Sequence, residues 1–160
     1  REAFAKSGDI LGNFRLVEEK KLVEDLFREI NTNTGKGSYG LEEVIGFLKN
    51  NVVQILLITD NTNLHRVEAE CKRCKKIQED IVERQLVIPK KTEYKNNPCP
   101  DCKAMDMEVN EQDIVDYLQI LAAKTGTQLE VISGSAEHGN MLSSLGKIGA
   151  ILRYNPGHTK

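Results

Sequence analysis

Apolar positions in the first thirty residues recur at helical spacing: Phe4, Ile10, Leu11, Phe14 and Val17, then Leu22, Val23, Leu26, Phe27 and Ile30. Gly8 and Gly12 weaken the early part, so the predicted helix is firmest over residues 18–30. The polar run 31–38 ends it and reads as a turn between two helices, because the spacing resumes at Leu41, Val44, Ile45 and Leu48. Residues 52–58 are β-rich and apolar at nearly every position, the pattern of a strand covered on both faces. Residues 59–63 form a loop at its carboxyl end. The alternating segments 66–70, 83–88 and 105–109 predict three strands with one wet face, and the polar stretch 89–98 predicts a flexible tip. Asp113 can cap a helix whose stripe is Ile114, Val115, Leu118, Leu121 and Ala122, and Gly126 ends it. A strand over 128–132, a loop over 133–139, a short helix over about 140–145 and a buried strand over 148–154 complete the chain.

The two apolar flanks cannot stand separately. The first offers one fully apolar strand without a partner; the second offers two. Joined, they make a sheet with helices on both faces, so the expected fold class is α/β with the middle segment inserted into it. The expected divisions are a connecting helix over 1–31, an α/β sandwich over 32–65 and 110–160, and an inserted minidomain over 66–109.

All four cysteines fall inside that insertion, as Cys71-Lys-Arg-Cys74 and, 24 residues later, Cys99-Pro-Asp-Cys102. Two Cys-x-x-Cys knuckles supply four thiolates at the corners of a tetrahedron, the donor set of structural Zn²⁺. A closed all-thiolate site has no open position for water, so it would be structural. Lys72, Arg73, Lys75, Lys76 and Lys103 stand beside it and would offset its net negative charge. The alternatives are an iron–sulfur cluster, four unrelated thiols, or two disulfides, which require an oxidising compartment. Cys71, Cys74, Cys99 and Cys102 are therefore the candidate ligands of a small zinc ribbon.

Composition narrows the rest. The 160 residues are 39% hydrophobic and 29% charged with no Trp, as in an ordinary globular protein with an aliphatic core. A formal charge of −2 and a pI near 6.0 argue against a freestanding nucleic-acid binder. No apolar run approaches a membrane span, and no signal or transit segment is read, so the expected compartment is the reducing cytosol. The chain opens on Arg1 and is expected to be a piece of a longer protein. Gly35-Lys36 does not begin a P-loop, because Gly37 follows the Lys where Ser or Thr is needed, and Ile30 stands where the first Gly belongs. His65, His138 and His158 are scattered without a nucleophile at a recognisable spacing; His65 could lie near the metal, and His138 reads as part of a solvated loop. No catalytic residue is expected.

The run Leu129-Glu-Val-Ile-Ser133, the polar loop with Glu137 and Gly139, and Gly146-Lys-Ile-Gly-Ala-Ile-Leu-Arg-Tyr154 closely resemble the end of archaeal and eukaryotic class I peptide chain release factors. Residues 18–22, 27–30, 39–43 and 55–58 resemble the beginning of the same third, C-terminal domain. The cysteine quartet points to the archaeal branch. Lys147 departs from the family, which has a second Gly there.

The resemblance implies an α-β-α sandwich like that of the kink-turn-binding ribosomal proteins, with the zinc ribbon inserted. It also implies a role in translation termination without catalysis by this part, since the sequence contains no Gly-Gly-Gln. The implied partners are a translational GTPase of the elongation factor 1α type, an ABC-type ribosome-recycling ATPase and, through the whole factor, the ribosome. No membrane and no small-molecule substrate is expected. By the same resemblance the GTPase-binding stretch is Gly149, Ala150, Ile151, Leu152, Arg153 and Tyr154, of which Arg153 and Tyr154 are the expected exposed contacts. An RNA-binding module of ribosomal-protein-like fold is the alternative reading.

Overall fold

A computed structural model describes residues 2–32 and 34–156, with side chains from Phe14 onward. Phe4, Ile10 and Leu11, as side chains, and His158 lie outside the described set. The chain divides into two compact units, residues 1–62 with 121–160, and residues 63–120.

The first unit opens with α1 (Glu2–Asn31), one continuous helix despite Gly8 and Gly12. Its sheet contains β1 (Gly37–Tyr39), β2 (Val53–Thr59), β6 (Gln128–Ile132) and β7 (Ile148–Leu152), in the order β1-β7-β2-β6. β2 runs parallel to β6 and antiparallel to β7, and β1 pairs antiparallel with β7. Helix α2 (Leu41–Lys49) and helix α5 (Glu137–Ser143) complete the layers. β1 corrects the sequence reading, in which residues 31–38 only turn between helices: Gly37, Ser38 and Tyr39 pair with Ile151, Ala150 and Gly149.

Alternation along the strands assigns the two faces. On one, Leu57 and Ile132 join Val23 and Leu26 of α1 and Leu142 of α5, all five closed to solvent. Each such side chain contributes about 1.5–3 kcal/mol by leaving water. Gly149 lies on that face, where a Cβ would collide with Leu26 Cδ2. A Cβ on Gly37 would stand 2.7 Å from the Ile30 backbone nitrogen, so glycine is what lets α1 cross β1 so closely. Leu56, Ile58, Ala150 and Leu152 point the other way and are also buried, with the Val44, Ile45 and Leu48 stripe of α2.

The second unit is a three-stranded antiparallel sheet in the order β4-β3-β5, from β3 (Leu64–Cys71), β4 (Ile77–Glu83) and β5 (Met107–Asp113). The strand expected over 83–88 is in fact β4 ending at Glu83, followed by a single 3-10 turn (Arg84–Leu86) and helix α3 (Val87–Asn96). The expected flexible tip at 89–98 is therefore mostly this helix. Pro89 is tolerated because it sits in the first turn, where the backbone N–H has no helical partner to lose. The helix is fastened by ion pairs: Lys90 Nζ lies 3.0 Å from Asp80 Oδ2 on β4, and Lys91 Nζ 3.3 Å from Glu111 Oε1 on β5. Helix α4 (Ile114–Thr125) follows β5 and is capped as expected, with the Val115 N–H donating to Asp113 Oδ1 at 2.8 Å.

Candidate functional site

The four cysteine sulfurs converge. All four Sγ atoms lie within 4.8 Å of one another, with Cys71 and Cys99 buried and Cys74 and Cys102 exposed. Cys71 Sγ is 3.5 Å from Cys102 Sγ, and Cys74 Sγ 3.5 Å from Cys99 Sγ, far beyond the ~2.05 Å of a disulfide. Both of these contacts run between knuckles.

The two knuckles repeat one backbone design. In the first, which joins β3 to β4, the Cys71 N–H donates to the Lys76 carbonyl at 2.9 Å and the Lys75 N–H to the Cys71 carbonyl at 2.9 Å. In the second, the Cys99 N–H donates to the Ala104 carbonyl and the Lys103 N–H to the Cys99 carbonyl, both at 2.8 Å. The residue after each second cysteine turns through the left-handed region, Lys75 at φ 67° and Lys103 at φ 65°. The Lys72 N–H, donating to the Asp106 carbonyl at 2.9 Å, ties the first turn to the second.

This backbone polarises the sulfurs. The N–H groups of Cys74 and Arg73 face Cys71 Sγ and bring that thiol down to about 6, against the opposing effect of burial. The Cys102 and Asp101 N–H groups likewise lower Cys99. The Lys76 N–H favours a Cys74 thiolate, but the neighbouring sulfurs and burial outweigh it and push Cys74 up to about 12. Four sulfurs packed this tightly cannot all ionise unless a cation joins them, which is the electrostatic condition a tetrahedral dication meets. The donor set, the convergence and the N–H···S contacts fit Zn²⁺. Two exposed ion pairs flank the knuckles, Lys72 with Asp106 at 4.0 Å and Lys76 with Asp101 at 3.8 Å, each worth at most about 1 kcal/mol.

His65 stands apart from this centre, on β3 six residues from Cys71, roughly 20 Å of extended chain. Its Nδ1 is 3.6 Å from Glu111 Oε2. His138, expected on a solvated loop, is instead buried on α5, with Nε2 3.0 Å from Glu19 Oε1. Nothing local in sequence announces that pairing, because Glu19 lies in the charged stretch of α1.

The 149–154 stretch splits in two. Gly149, Ala150 and Leu152 are core positions of β7, and Ile151 is half-buried. Arg153 faces solvent, but its guanidinium is committed: Nε donates to the Val53 carbonyl at 3.0 Å, and one terminal nitrogen to the Thr125 carbonyl at 2.7 Å and the Gly126 carbonyl at 3.2 Å. It thereby supplies a charged donor to the carboxyl end of α4. Tyr154 is 52% exposed. Ahead of β7, Gly146 at φ 91° and Lys147 at φ 73° make a turn of two left-handed residues.

Comparison with known proteins gives consistent matches. A family described as eRF1 domain 3 matches residues 16–156. Peptide chain release factor subunit 1 of Thermococcus onnurineus is 33% identical over 156 residues, covering 96% of this chain and 37% of that protein. The chain therefore spans little more than a third of the length of such relatives. Among solved structures, the C-terminal domain of peptide chain release factor from Methanosarcina mazei is 29% identical with a TM-score of 0.82, covering 98% of this chain and 94% of that one. Archaeoglobus fulgidus Pelota, 23% identical with a TM-score of 0.56 over 92% of this chain and 33% of its own, shares the fold.

Proposed function

The chain belongs to the eRF1 family of peptide chain release factors, as their domain 3, and on that premise we propose that it is the non-catalytic docking domain of a factor that terminates translation. The observation that carries this reading is the match over residues 16–156 in a sequence without Gly-Gly-Gln. The partners are a translational GTPase of the elongation factor 1α type and an ABC-type recycling ATPase, met in the cytosol, with the ribosome reached through the whole factor. Among the described residues no helix is long and apolar enough to cross a membrane.

The sandwich, of the kink-turn-binding ribosomal protein type, offers the end of β7 to the GTPase. Burial of Gly149, Ala150 and Leu152 gives those residues the task of holding the strand in place. The exposed phenol of Tyr154 is the contact, and Arg153 positions it by fastening the chain to the carbonyls of Val53, Thr125 and Gly126. The turn at Gly146-Lys147 sets how closely a partner's backbone can approach the other end of the strand.

Cys71, Cys74, Cys99 and Cys102 hold one structural Zn²⁺, making residues 63–120 a zinc-ribbon minidomain. The ion supplies charge neutralisation and a cross-link between two turns; about 10–16 kcal/mol of apparent binding free energy in such sites is also folding free energy.

The test sets pull-down by the archaeal GTPase beside gel shift with kink-turn RNA, using the folded domain. Retention by the GTPase with no RNA shift is expected. An RNA shift without GTPase retention would overturn the docking assignment in favour of an RNA-binding module.

A further inference from the structure

The four sulfurs alternate in exposure along the chain: Cys71 and Cys99 are buried, Cys74 and Cys102 exposed. Each 3.5 Å contact joins one of either kind across the knuckles, Cys71 with Cys102 and Cys74 with Cys99. Every solvent-facing sulfur therefore has a sheltered one against it on the other turn. In an all-thiolate metal site each is ionised, the form that attacks electrophiles. Arg73, Lys75 and Lys103, all exposed, adjoin Cys74 and Cys102 and make their surroundings electropositive, as at reactive cysteines.

The two knuckles are also held together by contacts other than sulfur. The Lys72 N–H donates to the Asp106 carbonyl at 2.9 Å, and β3 pairs with β5 as far as Cys71 opposite Met107. The sulfurs thus stay in register whether or not an ion joins them.

We propose that this centre is a redox-sensitive switch, in which peroxide couples Cys71 to Cys102 and Cys74 to Cys99 so that disulfides replace the metal as the link between knuckles. The proposal rests on the zinc reading above. In the first step the Cys102 sulfur attacks hydrogen peroxide: an S–O bond forms, the O–O bond breaks and hydroxide leaves. The Cys71 thiolate then attacks the resulting sulfenic acid; the S–S bond forms, the S–O bond breaks and a second hydroxide leaves. The two sulfurs lose two electrons and the peroxide gains them, and two protons from solvent turn the hydroxides into water. Cys74 and Cys99 repeat the sequence with a second peroxide. Disulfide sulfurs carry no charge and no longer hold a dication, so the metal is released. Thiol reductants reverse the change, as expected of disulfides that form only transiently in a reducing compartment.

The consequence is specific to pairing between knuckles. Removal of the ion from reduced protein leaves four mutually repelling sulfurs and no link, whereas oxidation leaves two links in its place. A bridge within either knuckle would join neither turn to the other.

The test treats the zinc-loaded whole chain with about two equivalents of hydrogen peroxide, one for each disulfide. Released zinc is read with a chromogenic dye, against a sample without peroxide. Bridges are mapped by digestion at Lys72-Arg73 and before Asp101, which separates all four cysteines. Peroxide-dependent release of about one zinc is expected, with Cys71–Cys102 and Cys74–Cys99 bridges. Hydrogen-exchange protection of residues 63–120 should persist in the oxidised chain, and dithiothreitol with added zinc should restore the reduced form. Zinc retained under peroxide, bridges within the knuckles, sulfinic or sulfonic products, or lost protection after oxidation would each overturn the switch while leaving the metal assignment intact. A chain without zinc before peroxide is added would overturn both.

Discussion

His138 Nε2 lies 3.0 Å from Glu19 Oε1, joining α5 to α1 across 119 positions of sequence, with both side chains nearly closed to solvent. A carboxylate can only accept, so the imidazole proton sits on Nε2. The same Glu19 oxygen accepts the Ser133 N–H at 3.1 Å, and Arg15 approaches the other at 3.4 Å. Burial alone would raise the Glu19 carboxyl, but these donors outweigh it and hold it below the usual carboxylate range.

A carboxyl group lowered in this way stabilises the fold fully above its unfolded pKa, and that contribution disappears as pH falls through the folded value. Glu19→Gln should therefore cost about 1–3 kcal/mol at pH 7, with the difference from the parent shrinking at pH 3. Urea denaturation at the two pH values checks this. Equal stability at pH 7 would mean that the pair does not hold α1 to α5.

Lys147 adopts φ 73°, a conformation that costs a residue with a Cβ about 1–2 kcal/mol, partly offset by the lower unfolded-state entropy of a non-glycine residue. Lys147→Gly should accordingly stabilise the chain by about 0.5–1 kcal/mol, read as a raised urea midpoint at unchanged slope. A lowered midpoint would show that the lysine side chain makes a compensating contribution.

Arg153 and Tyr154 are adjacent but should separate by experiment. Arg153→Ala removes a charged donor from three backbone carbonyls and should cost about 1–2 kcal/mol of stability. Tyr154→Ala should change stability by no more than about 0.5 kcal/mol, yet weaken GTPase binding about tenfold. Calorimetric titration beside thermal melts distinguishes the two. Unchanged affinity for Tyr154→Ala would remove that side chain from the interface.

Cys71→Ser should release hydrogen-exchange protection in β3, β4 and β5 while β2, β6 and β7 stay protected, because the quartet lies wholly within residues 63–120. Loss of protection in both units together would mean that they fold as one.

What could be read in advance was whatever the chain repeats locally. The Cys-x-x-Cys spacings, the continuous apolar run of β2 and the Asp113 cap each fix their neighbourhood within a few residues. β1 escaped because three residues, one a glycine, carry no period; only pairing with β7 makes them a strand. α3 escaped because Val87 is its one buried side chain and the rest of its hold is ionic, through Lys90 and Lys91, while the apolar run Leu86-Val-Ile88 imitates a strand. His138 looked solvated because its partner, Glu19, lies 119 positions away. The commitment of Arg153 to backbone carbonyls was hidden for the same reason, since Val53 is 100 positions distant.

Metal analysis of the freshly purified protein, followed by hydrogen exchange after chelation, bears most directly on the four-cysteine centre. About one zinc per chain is predicted, with residues 63–120 losing protection once it is withdrawn. A metal-free preparation in which those residues are fully protected would contradict it.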